Sequence, residues 1–162
     1  SGAEAERWLE QMRASGTEPT VQSYNHVLKA LVQGPGGAQA AEALLDKMSE
    51  RQVAPNVFTF TNLVQAHARG GDLKAAAGAV ERMRAAGVEP NHVTYTVLIT
   101  SQCRRGDMAQ ADAYLEEMEA AGIDVPSIAP YSALMHGHMK AGSSGRAEAV
   151  WRRAEARGLR PD

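Results

Sequence analysis

Acidic residues are absent from four stretches of this 162-residue sequence that do contain basic residues. Four stretches, 20–33, 56–70, 91–106 and 127–142, contain five of the 17 basic residues, all five histidines and none of the 19 acidic residues. The stretches therefore carry about +5 and the rest of the chain about −7, although the formal net charge is −2. This separation suits a polyanion lying along the basic stretches, because the acidic remainder discourages binding elsewhere. The basic residues concerned are Lys29, Arg69, Arg104, Arg105 and Lys140.

Residue types that support catalysis or metal binding are present, but their spacing does not favour either role. His136 and His138 are two residues apart, so on a helix they point to different faces, and we interpret them as structural or ligand-proximal. Cys103 occupies an apolar position and is predicted to be a buried, inert thiol. The acidic run 116–119 is interpreted as a solvated helix face. Without a nucleophile–base pair, a phosphate-binding glycine loop or a ligand cluster, we expect no catalytic residue, no metal and no cofactor.

The composition is typical of a folded chain that forms one domain. Hydrophobic residues make up 44% and charged residues 22% of the sequence, which argues against intrinsic disorder. No apolar run is long enough to span a bilayer, so we expect no membrane association. A single cysteine excludes an internal disulfide framework and a multi-cysteine zinc site. The first residues carry no basic region followed by an apolar run, so no secretory signal is expected there.

A period of 35 or 36 residues runs through the whole chain and determines the predicted architecture. Closing prolines, an aromatic five residues later, a small alanine and an apolar–methionine pair all recur in one register. We predict a single array across residues 1–162, with half a repeat at 1–19 and full repeats at about 20–55, 56–90, 91–126 and 127–162. The recurring residues include Pro19, Pro55, Pro90, Pro126 and Pro161, then Tyr24, Phe60, Tyr95 and Tyr131, and finally Ala41, Ala76, Ala111 and Ala147.

Each repeat is predicted to form two helices. In the third repeat, helical spacing of apolar residues around Tyr95 ends at Gly106, which suits a left-handed C-cap, and Asp107 can cap the next helix. The recurring spacing predicts nine helices in all, the first at about 5–14. Because a helical hairpin cannot bury its apolar face alone, we expect the hairpins to stack into a solenoid. The aromatic and methionine rows are predicted to be core, and extra residues lengthen the turns at 34–37 and 123–125.

The recurring pattern resembles the pentatricopeptide repeat, of the kind with 35-residue repeats. The resemblance is carried by Val57-Phe58-Thr59-Phe60-Thr61-Asn62-Leu63 with Met83, Gly87 and Pro90-Asn91, and by the next repeat from His92 to Ser127. Tetratricopeptide repeats have a 34-residue period and a different signature, which is missing here. The resemblance implies an all-α, right-handed superhelix of helical hairpins. It also implies sequence-specific binding of single-stranded RNA, with one base per repeat.

In this family, two residues of each repeat choose the base. One directly follows the first-helix aromatic, and the other directly follows the closing proline. At the position after the aromatic, a short hydroxyl leaves room for a purine, whereas Asn favours a pyrimidine. The resemblance implies the sequence 5′-C/U-A-purine-G-3′, with the third base left open because Ser127 replaces the usual Asn or Asp. The implied pairs are Asn25 with Asn56, Thr61 with Asn91, Thr96 with Ser127, and Ser132 with Asp162.

The resemblance also implies residues that sandwich the bases and residues that contact phosphate. Sandwiching residues lie two positions before each aromatic, and Phe58 and Val93 are better suited to this than Gln22 and Ala129. Phosphate contact is expected of cations on the first helices, three of which lie nine positions after the aromatic. These cations are Lys29, Arg69, Arg104 and Lys140.

Cellular roles follow only from the resemblance. Family members act mostly in mitochondria or chloroplasts, in RNA processing, stability, splicing or translation, and so we expect an organellar location. Two alternatives remain open: a helical-repeat scaffold for protein–protein interaction, including a homodimer through the end repeats, or an RNA-binding arm of a larger enzyme. Salt-sensitive binding with base preference distinguishes an RNA reader from a scaffold.

Overall fold

The computed structural model describes residues 2–34 and 36–159, and the regular secondary structure within those ranges is entirely helical. The predicted nine helices are all found in these ranges. Pro35, the closing Pro161 and the predicted base reader Asp162 lie outside the described residues. The helices are α1 (Gly2–Ala14), α2 (Val21–Val32), α3 (Gly37–Glu50), α4 (Val57–Arg69), α5 (Leu73–Ala85), α6 (His92–Arg105), α7 (Met108–Ala120), α8 (Ala129–Lys140) and α9 (Ser144–Ala156).

The chain forms two compact units, Ser1–Pro90 and Asn91–Asp162, which we call unit 1 and unit 2. In unit 1, the hairpins α2–α3 and α4–α5 pack against each other through α2 and α3 on one side and α4 on the other, and α1 packs on α2. In unit 2, the hairpins α6–α7 and α8–α9 pack through α8, which contacts both α6 and α7. Stacking of hairpins, as predicted, therefore occurs within each unit.

The repeated sequence positions form the repeated core. The four aromatic residues five positions after the prolines are all buried, which confirms that they pack and do not offer stacking surfaces. The alanine row is at most 6% exposed, so first and second helices approach closely there. Met48, Met83 and Met118 are fully buried and fill the gaps between helices.

The helix ends follow the predicted glycine and aspartate signals. Gly106 adopts φ 84°, and the N–H of Asp107 donates to the carbonyl of Gln102, which closes α6. The Asp107 carboxylate then accepts from the N–H of Gln110 at 3.1 Å and caps α7. Asp72 caps α5 in the same way, through the N–H of Ala75 at 2.9 Å. Each turn thus ends one helix and starts the next within a few residues.

The lengthened turn of the first repeat ends at a close contact between two helices. A Cβ added at Gly37 would lie 2.9 Å from the carbonyl oxygen of Leu31 and 3.1 Å from Cα of Val32. The start of α3 therefore lies directly against the end of α2, and only glycine fits without a shift of backbone.

Candidate nucleic-acid interface

The first helices α2, α4, α6 and α8 contain no acidic residue. The charge separation predicted for the four sequence stretches is therefore also present in the helices of the structure. The predicted sandwiching residues lie on the surface. Phe58 is 65% exposed and Val93 is 44% exposed, although apolar side chains of this size are usually buried. Gln22 and Ala129 are also exposed. The residues expected to contact bases are therefore accessible at these four positions.

The two predicted base readers of the first repeat touch each other. The amide nitrogen Nδ2 of Asn25, on α2, donates to Oδ1 of Asn56 at 3.0 Å. Asn56 is the N-cap of α4, and its Oδ1 also accepts from the backbone N–H groups of Phe58 and Thr59 at 3.1 and 3.2 Å. The hydroxyl of Thr59 donates to Oδ1 of Asn25 at 2.7 Å. Residues 31 positions apart thus form one polar cluster, half-buried at the start of α4.

The readers of the second repeat are divided between the units. Thr61 lies half-buried on α4 of unit 1. Asn91 begins unit 2 and is the N-cap of α6, where its Oδ1 accepts from the N–H groups of Val93 and Thr94 at 3.0 and 3.1 Å. Asn91 therefore holds the same helix-start position as Asn56, with the same amide orientation.

The third and fourth repeats depart from that geometry. The N-cap of α8 is Ile128, so Ser127 lies one residue outside the helix start that Asn56 and Asn91 occupy. Pro130 in the first turn of α8 accompanies this shift. Thr96 donates to the carbonyl of His92 at 2.7 Å, and within the described part of the chain it shares no hydrogen bond with Ser127. Ser132 is half-buried on α8, while its predicted partner lies outside the described residues.

The predicted phosphate-contacting cations Lys29, Arg69, Arg104 and Lys140 are all exposed. Arg69 is also held within unit 1, because its Nη1 donates to Oε1 of Gln33 at 2.7 Å and to the carbonyl of Val32 at 3.4 Å. Gln33 is the one uncharged residue in the row nine positions after the aromatic. It positions the next cation of that row at the end of α2.

Two of the five histidines face the core instead of the basic surface. His67 and His138 are 9% and 1% exposed, and each lies 2.9 Å from a carboxylate oxygen of the preceding second helix, Glu42 and Asp112 respectively. The structural interpretation therefore holds for His138. The positions seven residues after each aromatic share burial, and this common register was a signal in the sequence; they are Leu31, His67, Gln102 and His138.

The interpretation of residues 116–119 as a solvated face is wrong for Glu119. Its carboxylate accepts from the Tyr131 hydroxyl at 2.9 Å and from Nη2 of Arg153 at 2.6 Å. Burial, and then the hydrogen bond to Glu119, raise the pKa of Tyr131 to about 12. The reason for the error is that Tyr131 and Arg153 approach from α8 and α9, which the local sequence around Glu119 does not show.

Cys103 is half-buried on α6, so it is less buried than the sequence predicted. Burial and the nearby charge of Asp112 raise the pKa of the Cys103 thiol to about 11, so it stays protonated at neutral pH.

Among residues 2–34 and 36–159, no group of three His, Cys, Asp or Glu side chains is placed to hold a metal ion. In the same ranges, every helix is too short or too polar to cross a membrane.

Two family models match the chain. The model described as the pentatricopeptide repeat domain matches residues 43–105. The model described as the pentacotripeptide-repeat region of PRORP matches residues 78–162, slightly more than half of the chain. A pentatricopeptide repeat-containing protein of Arabidopsis thaliana is 38% identical over 61 residues, which are 38% of this chain and 8% of that protein.

Solved structures show the same fold. The maize pentatricopeptide repeat protein PPR10 matches with a TM-score of 0.80 and 22% identity over 97% of this chain and 22% of its own. The corresponding domain of Arabidopsis thaliana protein-only RNase P 1, in complex with tRNA, matches with a TM-score of 0.79 and 23% identity. The match covers 99% of this chain and 84% of that domain's chain. PPR10 in complex with an 18-nt psaJ RNA element matches with a TM-score of 0.77 and 32% identity, over 91% of this chain and 21% of the PPR10 chain. The predicted fold class, an all-α solenoid of helical hairpins, is confirmed; the chain spans less than a quarter of the PPR10 chains.

Proposed function

The chain belongs to the pentatricopeptide repeat family, and we propose that it binds single-stranded RNA along its first helices, reading one base per repeat. The observation that carries the proposal is the contact between Asn25 and Asn56. Two amide side chains, one on α2 and one at the start of α4, meet there, and Gln22 and Phe58, three positions before Asn25 and two positions after Asn56, are both exposed. A base inserted between those two side chains would meet both amides with its Watson–Crick edge.

The proposed sequence is 5′-C/U-A-purine-G-3′. Asn25 occupies the space that a purine needs, so the first repeat selects cytosine and then uracil. The short hydroxyls of Thr61, Thr96 and Ser132 leave space for a purine in the other three repeats. The N–H groups of Asn91 suit adenine, while the carboxylate of Asp162 suits the N–H groups of guanine.

Electrostatics supports the same surface. The first helices carry cations and no acids, so a nucleic-acid backbone approaching them releases counterions without meeting a carboxylate on those helices. The solved complexes of PPR10 with an RNA element and of protein-only RNase P 1 with tRNA lend support from the same fold. The proposal assigns no catalytic step to this chain. The roles proposed for it are organellar RNA processing, stability, splicing or translation, alone or as the RNA-binding arm of a larger enzyme.

Selection from a random pool tests the function directly. RNAs retained by the immobilised chain at physiological salt should be enriched in the proposed four-base sequence, and their affinity should fall as salt rises. Retention of RNAs without any shared sequence would contradict base reading. Absence of retention at low salt would contradict RNA binding altogether.

A second candidate function, protein–protein binding through the end repeats, rests on exposed apolar side chains. Trp8 on α1 is 54% exposed and Met139 on α8 is 59% exposed. Trp8 lies in register with Leu44 and Val150, which are buried in complete hairpins. Light scattering of the chain and of the variant Trp8→Ser tests this candidate, because an assembly that uses this surface, including a homodimer, should dissociate in the variant.

A further inference from the structure

We propose that Thr59 is a positioning residue for base selection in the first repeat. Its hydroxyl holds Asn25 against Asn56, so that this pair of amides presents N–H groups to the RNA and favours cytosine over uracil. The inference rests on the proposed function, and it adds a third residue to the pair that the family resemblance implies. Three observations about hydrogen bonds lead to it. The direction of the hydrogen bond in the second observation follows from the first, and that in the third follows from the second.

The first observation is that the backbone of α4 determines how the Asn56 amide is turned. Its Oδ1 accepts from the backbone N–H groups of Phe58 and Thr59 at 3.1 and 3.2 Å. A backbone N–H can only donate, so the atom facing it must be the amide oxygen. The Asn56 nitrogen consequently points away from the helix start.

The second observation concerns Asn25. Its amide lies 3.0 Å from Oδ1 of Asn56, and because that oxygen only accepts, Asn25 must present its nitrogen there. The opposite orientation would bring two amide oxygens together. The Asn25 oxygen is therefore turned towards α4.

The third observation is the partner of that oxygen. The Thr59 hydroxyl lies 2.7 Å from Oδ1 of Asn25 and accepts from the backbone N–H of Asn56 at 3.1 Å. Because its single proton goes to the nearer acceptor, the hydroxyl donates to Asn25, although Oδ1 of Asn56 is also 3.1 Å away. Thr59 is fully buried, so water cannot replace this bond. Two hydrogen bonds, one at each end of its amide, hold Asn25 in place.

This arrangement leaves donors for the ligand. Within the described part of the chain, Nδ2 of Asn56 makes no hydrogen bond, while its oxygen is fully used. A base with an acceptor at the centre of its Watson–Crick edge suits such a surface. Cytosine N3 is an acceptor, whereas uracil carries N3–H at the same place and would place a donor against a donor. A rigid Asn25 prevents the pair from turning to accommodate uracil.

The second repeat provides a matched control. Thr94 holds the position of Thr59, and its hydroxyl donates to Oδ1 of Asn91 at 3.2 Å. The reader on the preceding first helix is Thr61, which has no amide to be oriented. Loss of the Thr94 hydroxyl should therefore weaken the start of α6 without changing the choice between cytosine and uracil in the first repeat.

The test compares two synthetic RNAs that contain 5′-CAAG-3′ or 5′-UAAG-3′ in identical flanking sequence. Thr59→Val should reduce the cytosine-over-uracil ratio of dissociation constants by about fivefold, the equivalent of one hydrogen bond. Thr59→Ser should restore it, and Thr94→Val should leave it unchanged. In the background Asn25→Ala, adding Thr59→Val should have no further effect on the ratio, because the hydroxyl acts through Asn25.

The outcomes separate this inference from the proposed function. If the parent chain binds both RNAs and discriminates between them, but Thr59→Val discriminates equally well, the role of Thr59 is wrong and base reading stands. If the parent chain binds neither RNA, the proposed function fails. Should Thr59→Val not fold, hydrogen exchange of the parent decides: side-chain N–H protons of Asn25 that exchange as fast as those of exposed Gln22 would overturn the inference.

Discussion

His138 Nε2 lies 2.9 Å from Asp112 Oδ1, and this contact joins the first helix of the fourth repeat to the second helix of the third. In unit 1, His67 and Glu42 form the same contact at the same distance between the second and first repeats. An arginine from the histidine's own second helix adds to each pair: Arg82 lies 2.9 Å from Glu42, and Arg146 lies 3.6 Å from Asp112. Within each unit, the two full repeats are thus joined by polar contacts as well as by apolar packing.

We expect His138→Leu to lower the free energy of unfolding by about 1–3 kcal/mol, because Asp112 loses a buried partner. Leucine fits the position sterically, since Leu31 occupies the corresponding place in the first repeat. His138→Gln should cost less, because Gln102 is the natural residue in the third repeat and an amide can still donate. Urea unfolding measures both, and the exposed His136→Leu, expected to change stability by less than about 0.5 kcal/mol, is the control.

Glu42 should contribute to acid unfolding. Burial raises the pKa of its carboxyl, but hydrogen bonds from Arg82 and His67 outweigh that effect and bring the pKa below the ordinary 4.5. A lowered pKa means that the stabilisation is complete above pH 4.5 and is lost as pH falls through the lower value of the folded state. Glu42→Gln should therefore flatten the acid side of the stability–pH curve, and Glu50→Gln, at an exposed position on the same helix, is the control for an equal loss of charge. Identical curves for parent and Glu42→Gln would contradict the pairing.

Tyr131 should make stability fall at alkaline pH. Burial, and then the hydrogen bond to Glu119, raise its pKa from 10.0 to about 12, so its contribution is complete below pH 10 and is lost as pH rises towards 12. Tyr131→Phe should remove this contribution and cost about 1 kcal/mol at neutral pH. Packing should survive, since Phe60 fills the equivalent place. Tyr24→Phe is the control, because the Tyr24 hydroxyl makes no hydrogen bond to the described residues.

The combined change Arg69→Gln, Arg104→Gln and Lys140→Gln should weaken binding to all RNAs alike. If each cation neutralises one phosphate, the slope of log K against log salt should become shallower by about 2, at roughly 0.7 per contact. An equal loss of charge on second helices, through Lys47→Gln, Lys74→Gln and Arg152→Gln, should have little effect on that slope. Equal effects of the two triple variants would show that charge alone, and not this surface, attracts the RNA.

Asn91→Asp should change the preference of the second repeat from adenine to guanine by about 1–3 kcal/mol, the range known for base-edge contacts in DNA. A carboxylate still accepts from the N–H groups of Val93 and Thr94 and so preserves the cap of α6. It offers only acceptors to the base, which suits guanine N1–H and not adenine N1. Binding of RNAs that differ only at this base measures the change, with Asn62→Asp as the control for added charge. An adenine-to-guanine ratio unaffected by Asn91→Asp would refute base reading here.

The repeat, the helices and the apolar core could all be predicted from the order of the amino acids. A period of 35 or 36 residues places aromatic, alanine and methionine side chains in one register, and helices follow from local spacing and from the Gly106–Asp107 type of boundary. Because each hairpin buries the same face, the core residues lie at equivalent positions in every repeat. The absence of acidic residues from the first helices could also be predicted in this way.

Which polar groups contact each other depends on the packing of helices that are far apart in sequence. His67 and Glu42 are 25 residues apart, Asn25 and Thr59 are 34 apart, and Glu119 is 34 residues from Arg153. Nothing local in the sequence marks these partners. A hydrogen bond requires its donor and acceptor to be placed to within a few tenths of an ångström, and only the packing of separate helices brings these atoms together. The orientation of the Asn25 amide illustrates the reason: it is determined step by step, from the backbone of α4 through Asn56, and exists only once α2 and α4 are side by side.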